Sequence, residues 1–218
     1  MKLPMDSRFR LGVTVTIAAF LGVATVLHGV SAQRGTPPRP QPAELTSRVV
    51  RSVLEQTTYT LHYDPSYVRL TYPGGDVPRE RGVCTDVVIR AFRAAGVDLQ
   101  REVHLDMSAN FSVYPQRWGL RGTDRNIDHR RVPNLMTYFQ RQGRALTLSN
   151  SADNFQPGDV VAWDLGGGVL HVGVVSNVRA AGGQRYQVVH NLAAGAKLED
   201  VLFAWRVIGH YRYFPASD

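Results

Sequence analysis

Apolar positions recur at helical spacing in the first half of the chain and alternate in the last third. Residues 43–56 (AELTSRVVRSVLEQ) set Leu45, Val49, Val53 and Gln56 along one stripe, which predicts an amphipathic helix. A second helix is predicted from Cys84. Val88, Ala91 and Ala95 share the cysteine's face, and Gly96 is the stop. Between them Tyr67, Arg69 and Thr71 alternate with Val68, Leu70 and Tyr72, which predicts a short strand closed by the Pro73-Gly74-Gly75 turn. Weaker helical stretches at 101–110 and 132–142 flank an irregular polar and aromatic loop. Strands are predicted within 157–165, 171–178, 185–191 and 204–214, with a hairpin across Ala180-Ala181-Gly182-Gly183. A helical front half followed by an antiparallel sheet is an α+β pattern.

The N-terminus adds a compartment. Lys2, Arg8 and Arg10 precede an apolar run from Leu11 to Leu27, and Val30-Ser31-Ala32 follows with small residues where a signal peptidase reads. Residues 1–32 are therefore expected to be a cleaved signal peptide, leaving a periplasmic or secreted protein with no integral membrane association. The alternative is a retained anchor, since the run is near the lower limit for a span. Residues 33–42 are Pro-rich and read as a linker, and 43–218 as a single domain.

Charge narrows the partners. The chain carries +7, which falls to +5 without residues 1–32, and Lys197 is then the only lysine among dispersed arginines. No tract resembles a nucleic-acid arm, so no nucleic-acid partner is expected. An anionic envelope polymer suits such a surface, as does a plain solvated basic face. Gly166-Gly167-Gly168 joins two strands and has no P-loop lysine, so no nucleotide cofactor is implied.

The single cysteine makes no intrachain disulfide, and in an oxidising compartment an unpaired thiol is buried, paired between chains or used. Cys84 stands at a helix start, where unpaired N–H groups and the helix dipole favour a thiolate. A nucleophilic thiol needs an imidazole base and a third group to orient that imidazole. His171 begins one apolar strand and His190 closes the next, so antiparallel pairing brings them together as base and orienter. His210 shares its strand face with Arg206 and Arg212 and reads as solvated.

The runs PGDVVAWDL, HVGVVSN and YQVVHN resemble the cell-wall peptidases of the NlpC type, a papain-like group with a Cys-His-polar triad. By that resemblance Cys84 is the nucleophile, His171 the base and His190 the orienter, with Asn191 an alternative third member. Over most of residues 45–214, YPGGDVP, RGVCTDVVIRA, NIDHRRVPNL and LEDVLFAWRVIGHYRY resemble an exported bacterial family, domain of unknown function 1287. The implied architecture is a papain-like fold: the cysteine helix packed on the antiparallel sheet, with a helical and loop insertion between them. The group usually has Asp-Cys-Ser-Gly at the nucleophile, whereas this chain has Val83-Cys84-Thr85-Asp86, and its insertion is longer. Substrate recognition does not carry over.

The insertion concentrates Asp128, His129, Arg130, Arg131 and Asn134 before a helix. They are expected either to grip substrate carboxylates as a lid or to satisfy each other as a polar loop capping that helix. Tyr72, Asp76 and Trp118 are further candidates for lining a groove. The expected function is an exported cysteine hydrolase acting on envelope amides, foremost peptidoglycan stem peptides. Acyl transfer on the same scaffold and a non-catalytic envelope-binding module are alternatives. A zinc hydrolase drawing on His104, Asp106, Asp128, His129 or His171 is another, though the His-Glu-x-x-His helix is absent, so no metal or cofactor is assigned.

Overall fold

The computed structural model describes residues 40–215 and the isolated Gly12. The expected signal peptide and most of the expected linker lie outside the described residues. Helix α1 (Pro42–Tyr59) starts within the Pro-rich stretch, with proline in its first turn, where a missing N–H costs nothing. It buries Val49, Val53 and Gln56, as the stripe predicted. Strands β1 (His62–Tyr63) and β2 (Arg81–Gly82) form a two-residue parallel pair just before α2 (Cys84–Ala94). Helices α3 (Leu99–Ala109) and α4 (Val132–Arg141) make up the middle. Then come β3 (Val160–Asp164), β4 (Leu170–Arg179), β5 (Tyr186–Asn191), β6 (Ala196–Glu199) and β7 (Arg206–Tyr211).

The five long strands form one antiparallel sheet in the order β6-β5-β4-β3-β7. Side chains alternate across it. Val160, Ala162, Val172, Val174 and Val189 pack against Val49, Val53, Val87, Val88 and Phe92 of the helices, forming the main core. Val161, Trp163, Val175 and Val188 face the other way and are covered by Phe155 and Leu202, forming a smaller core. This is an α+β protein with a helix-bearing face and a second, thinner apolar face. No helix among the described residues is long and apolar enough to cross a membrane.

Two expectations need correction, and one strand was not expected. Residues 67–72 form no strand: Tyr67, Val68 and Arg69 are exposed, and Leu70 N–H donates to Asn126 Oδ1 (2.9 Å) instead of to a neighbouring strand. Strand β6 is an addition. Its entry is Gly195, at φ +87°, where a Cβ would lie 2.5 Å from Thr60 O; Ala196 N–H donates to that same oxygen at 2.7 Å. Only glycine lets the β5–β6 turn approach the end of α1 so closely. His210 is not solvated but 1% exposed. Its Nε2 lies 2.7 Å from Asp159 Oδ2 and its ring stacks on Phe155 at 4.1 Å.

Candidate active site

The start of α2 is held from two directions. Asp86 accepts the Val83 N–H at 2.7 Å, capping the helix from its third residue; valine has no acceptor to complete a capping box. The same carboxylate takes a two-pronged bond from Arg130, Nε to Oδ1 and Nη2 to Oδ2, both 2.9 Å, with both side chains almost fully buried. Thr85 Oγ1 donates to the Arg130 carbonyl at 3.0 Å. The middle segment is thus bolted to the two residues that follow Cys84 in the helix's first turn.

Cys84 is 7% exposed. Burial pushes its thiol up to about 12, and Asp86 adds to that, while the N–H groups of Val172, Thr85 and Cys84 itself pull the other way. The expected thiolate at the helix start is therefore not the resting form, because loss of water outweighs the N–H groups. No imidazole among the described residues is hydrogen-bonded to the sulfur; the His171 ring is bonded to His190 instead. The sulfur instead meets the Val172 N–H, which belongs to the peptide joining His171 to Val172. That peptide lies just beyond Gly173–His190, the last pair of the β4–β5 ladder, where the two strands have parted.

His171 leaves β4 on the side opposite Val172, opposite Trp163 in register, and its ring stacks on that indole at 5.7 Å. Its Nε2 lies 2.9 Å from His190 Nδ1. Burial, with His190 second, holds His171 down to about 3. Burial lowers His190 as well, opposed by Glu199, whose Oε2 stands 2.9 Å from His190 Nε2 in a bent alignment. Of the two candidates for the third position, His190 reaches His171. Asn191 points to the helix face and donates to the Gly82 carbonyl at 2.9 Å. Glu199 escaped the sequence reading because it ends β6, a strand with no clear alternation.

A cavity of about 250 Å³ opens beside Cys84, lined among others by Tyr63, Arg117, Trp118, Arg130 and Arg131. No carboxylate among the described residues lines it. Trp118 takes a left-handed φ of 61° and carries the Arg131 guanidinium 4.2 Å over its ring. Of the seven expected substrate residues, Trp118 and Arg130 line this cavity and five do not. Tyr72 packs edge-on to His104, and Asp76 is ion-paired with Arg90 at 2.9 Å. Asp128, His129 and Asn134 are buried: Asp128 accepts the Asp124 N–H, and Asn134 donates to the Asp128 carbonyl at 3.0 Å. Asp128 and Asn134 brace the middle segment from inside and His129 is buried beside Asp128, so the gripping-lid expectation is corrected to interior packing for these three.

A larger cavity of about 540 Å³ lies at the other end of the strands, around Phe155, Asp159, Arg179 and Arg212. Its Asp159 is already held by His210 and Arg212. Among the described residues no group of three or more His, Cys, Asp or Glu side chains is arranged to hold a metal ion. Asp106, a candidate ligand, is taken by Arg141 and Tyr114.

The class these features define is an α+β protein with a covered cysteine at a helix start and a hydrogen-bonded histidine pair where a sheet ladder ends. The chain belongs to the family described as "Domain of unknown function (DUF1287)", whose model matches residues 50–213. It is similar to the uncharacterized protein YijF of Escherichia coli (strain K12), 58% identical over 160 residues covering 73% of this chain and 78% of that protein.

Proposed function

We propose that the protein is an exported cysteine hydrolase of papain-like, NlpC type, cleaving amide bonds of an envelope substrate, foremost the stem peptides of peptidoglycan. The observation that carries this reading is the buried histidine pair, His171 Nε2 to His190 Nδ1 at 2.9 Å, on a strand whose approach (Gly168 and Leu170) lines the same cavity as Cys84. His171 Nε2 is held by His190, which leaves Nδ1 as its free ring nitrogen; the ring lies on the Trp163 side of the sheet, so a water bridging from the cavity has to carry the thiol proton to it. Sulfur then attacks the amide carbon as the proton passes to Nδ1. The leaving amine departs with that proton, and water releases the acid from the thioester with the imidazole again as base. With the thiol raised to about 12 and the imidazole lowered to about 3, proton transfer belongs to the transition state and not to a resting ion pair.

The cavity supports an anionic substrate. Arg130 is neutralised by Asp86 and Arg131 is paired at 3.6 Å with Asp128 behind it, which leaves Arg117 at the lining as the guanidinium that can meet a free peptide carboxylate. Stem peptides carry such groups. The basic and apolar N-terminus supports export, with cleavage after Ala32. N-terminal sequencing of exported material should begin near Gln33, and retention of Met1–Leu27 would count against it. The deciding experiment is mass spectrometry of muropeptides incubated with the mature protein. New free amines and carboxylates absent from the Cys84→Ala control support the reading, and identical muropeptide patterns overturn it.

A further inference from the structure

We propose that Glu199 is a positioning residue that fixes which ring nitrogen of His171 carries the lone pair. This rests on the reading of His171 as the base. The bond between His171 Nε2 and His190 Nδ1 has no built-in direction: either nitrogen can hold the proton, and both choices keep the 2.9 Å separation. One choice leaves Nδ1 of His171 free to take a proton; the other puts a proton on it and disables the base. A third group has to break the tie.

Glu199 does so. Its Oε2 stands 2.9 Å from His190 Nε2, too bent for a full hydrogen bond, and a carboxylate that close favours the proton on Nε2 by charge, since it offers no proton of its own. His190 Nδ1 is then a lone pair, His171 Nε2 must be its donor, and His171 Nδ1 is left basic. One carboxylate thus sets two tautomers in series. The surrounding groups leave this role to it. Trp163 Nε1 donates to the Leu202 carbonyl at 3.0 Å. Lys197, opposite His190 in the β5–β6 register, offers only donors and would favour the reverse order. Glu199 reaches His190 diagonally, two residues along β6 from Lys197, and its strand is anchored by the bond from Ala196 N–H to Thr60 O.

The test is ¹⁵N NMR of the histidines in the mature chain, comparing wild type with Glu199→Leu and Glu199→Gln. In the wild type, His171 should show a protonated Nε2 and an unprotonated Nδ1. Glu199→Leu should give a mixture of both tautomers, and Glu199→Gln should restore part of the preference, since its carbonyl still accepts. Muropeptide hydrolysis by Glu199→Leu should lose about ten- to a hundredfold in kcat with KM little changed, less than the roughly 10⁴-fold of a directly bonded orienter because Glu199 is half exposed and one link further away. If His171 keeps an unprotonated Nδ1 in Glu199→Leu, Glu199 does not set the tautomer and the proposal is overturned. A wild type that hydrolyses nothing overturns the hydrolase reading instead, and the NMR result still decides the role of Glu199.

Discussion

His171 and His190 meet at right angles: Nε2 of the first lies 2.9 Å from Nδ1 of the second, and the ring planes cross at 82°. The indoles of Trp163 and Trp205 wall both rings off. A histidine pair sealed this way has few orientations open to it, so each ring's role can be probed singly.

Substitution should rank the site residues. Cys84→Ala and Cys84→Ser should be nearly inactive on muropeptides, and His171→Ala should cost almost as much, because nucleophile and base act as a unit. His190→Ala should cost up to about 10⁴-fold. Asn191→Ala should cost least in turnover and more in stability, as its carboxamide holds the Gly82 carbonyl at the entry to α2. An unimpaired His171→Ala enzyme would sink the triad.

The thiol should be slow to alkylate at neutral pH. Because its folded pKa is raised to about 12, the iodoacetamide rate should climb roughly tenfold per pH unit from pH 7 until the thiolate dominates or the fold gives way. A rate that levels off near pH 8.5, the value of a free cysteine, would contradict the burial argument.

Breaking the buried ion pair under the cysteine should be costly. Arg130→Ala strands the Asp86 carboxylate, and Asp86→Ala strands the guanidinium, so each should destabilise by about 3–5 kcal/mol in urea unfolding. The double variant should cost clearly less than the sum of the two. Additive losses would mean the pair is not coupled.

Stability should fall with acid well before the exposed carboxylates titrate. His129 and His171 are both lowered to about 3 and His190 is lowered too, so their contribution is complete above the unfolded value near 6.5 and is lost as pH falls toward 3. Asp128, raised to about 6, works the opposite way: its contribution is present below 3.8 and lost as pH rises through 6. The net slope between pH 6 and 4 should be on the order of 1–3 kcal/mol per unit. Chemical denaturation across that range should show His129→Leu flattening the curve and Asp128→Asn steepening it.

Much of this was legible in the sequence because period carries it. The stripe of α1, the face of α2 and the strands holding His171 and His190 follow from spacing, and the meeting of those two rings follows from a hairpin. The misreadings share a cause: alternation alone does not say whether a neighbour exists. Residues 67–72 alternate but face no strand, whereas Ala196–Glu199 pairs without alternating, because the glycine contact with Thr60 O delivers it to the edge of β5. His210 looked solvated between two arginines, but Asp159, 51 residues earlier, reaches both it and Arg212. The thiol's direction was missed for a different reason. Helix position can be read from the chain, but depth of burial cannot.

That depth bears on how the molecule ages. Peroxides and stray disulfides attack the thiolate, and an exposed lone cysteine outside a reducing environment is soon capped or cross-linked. Cys84, 7% exposed and neutral at rest, offers oxidants almost no anion. A reagent that spares the resting protein and consumes the thiol only while an amide occupies the cavity would be reporting occupancy, one molecule at a time.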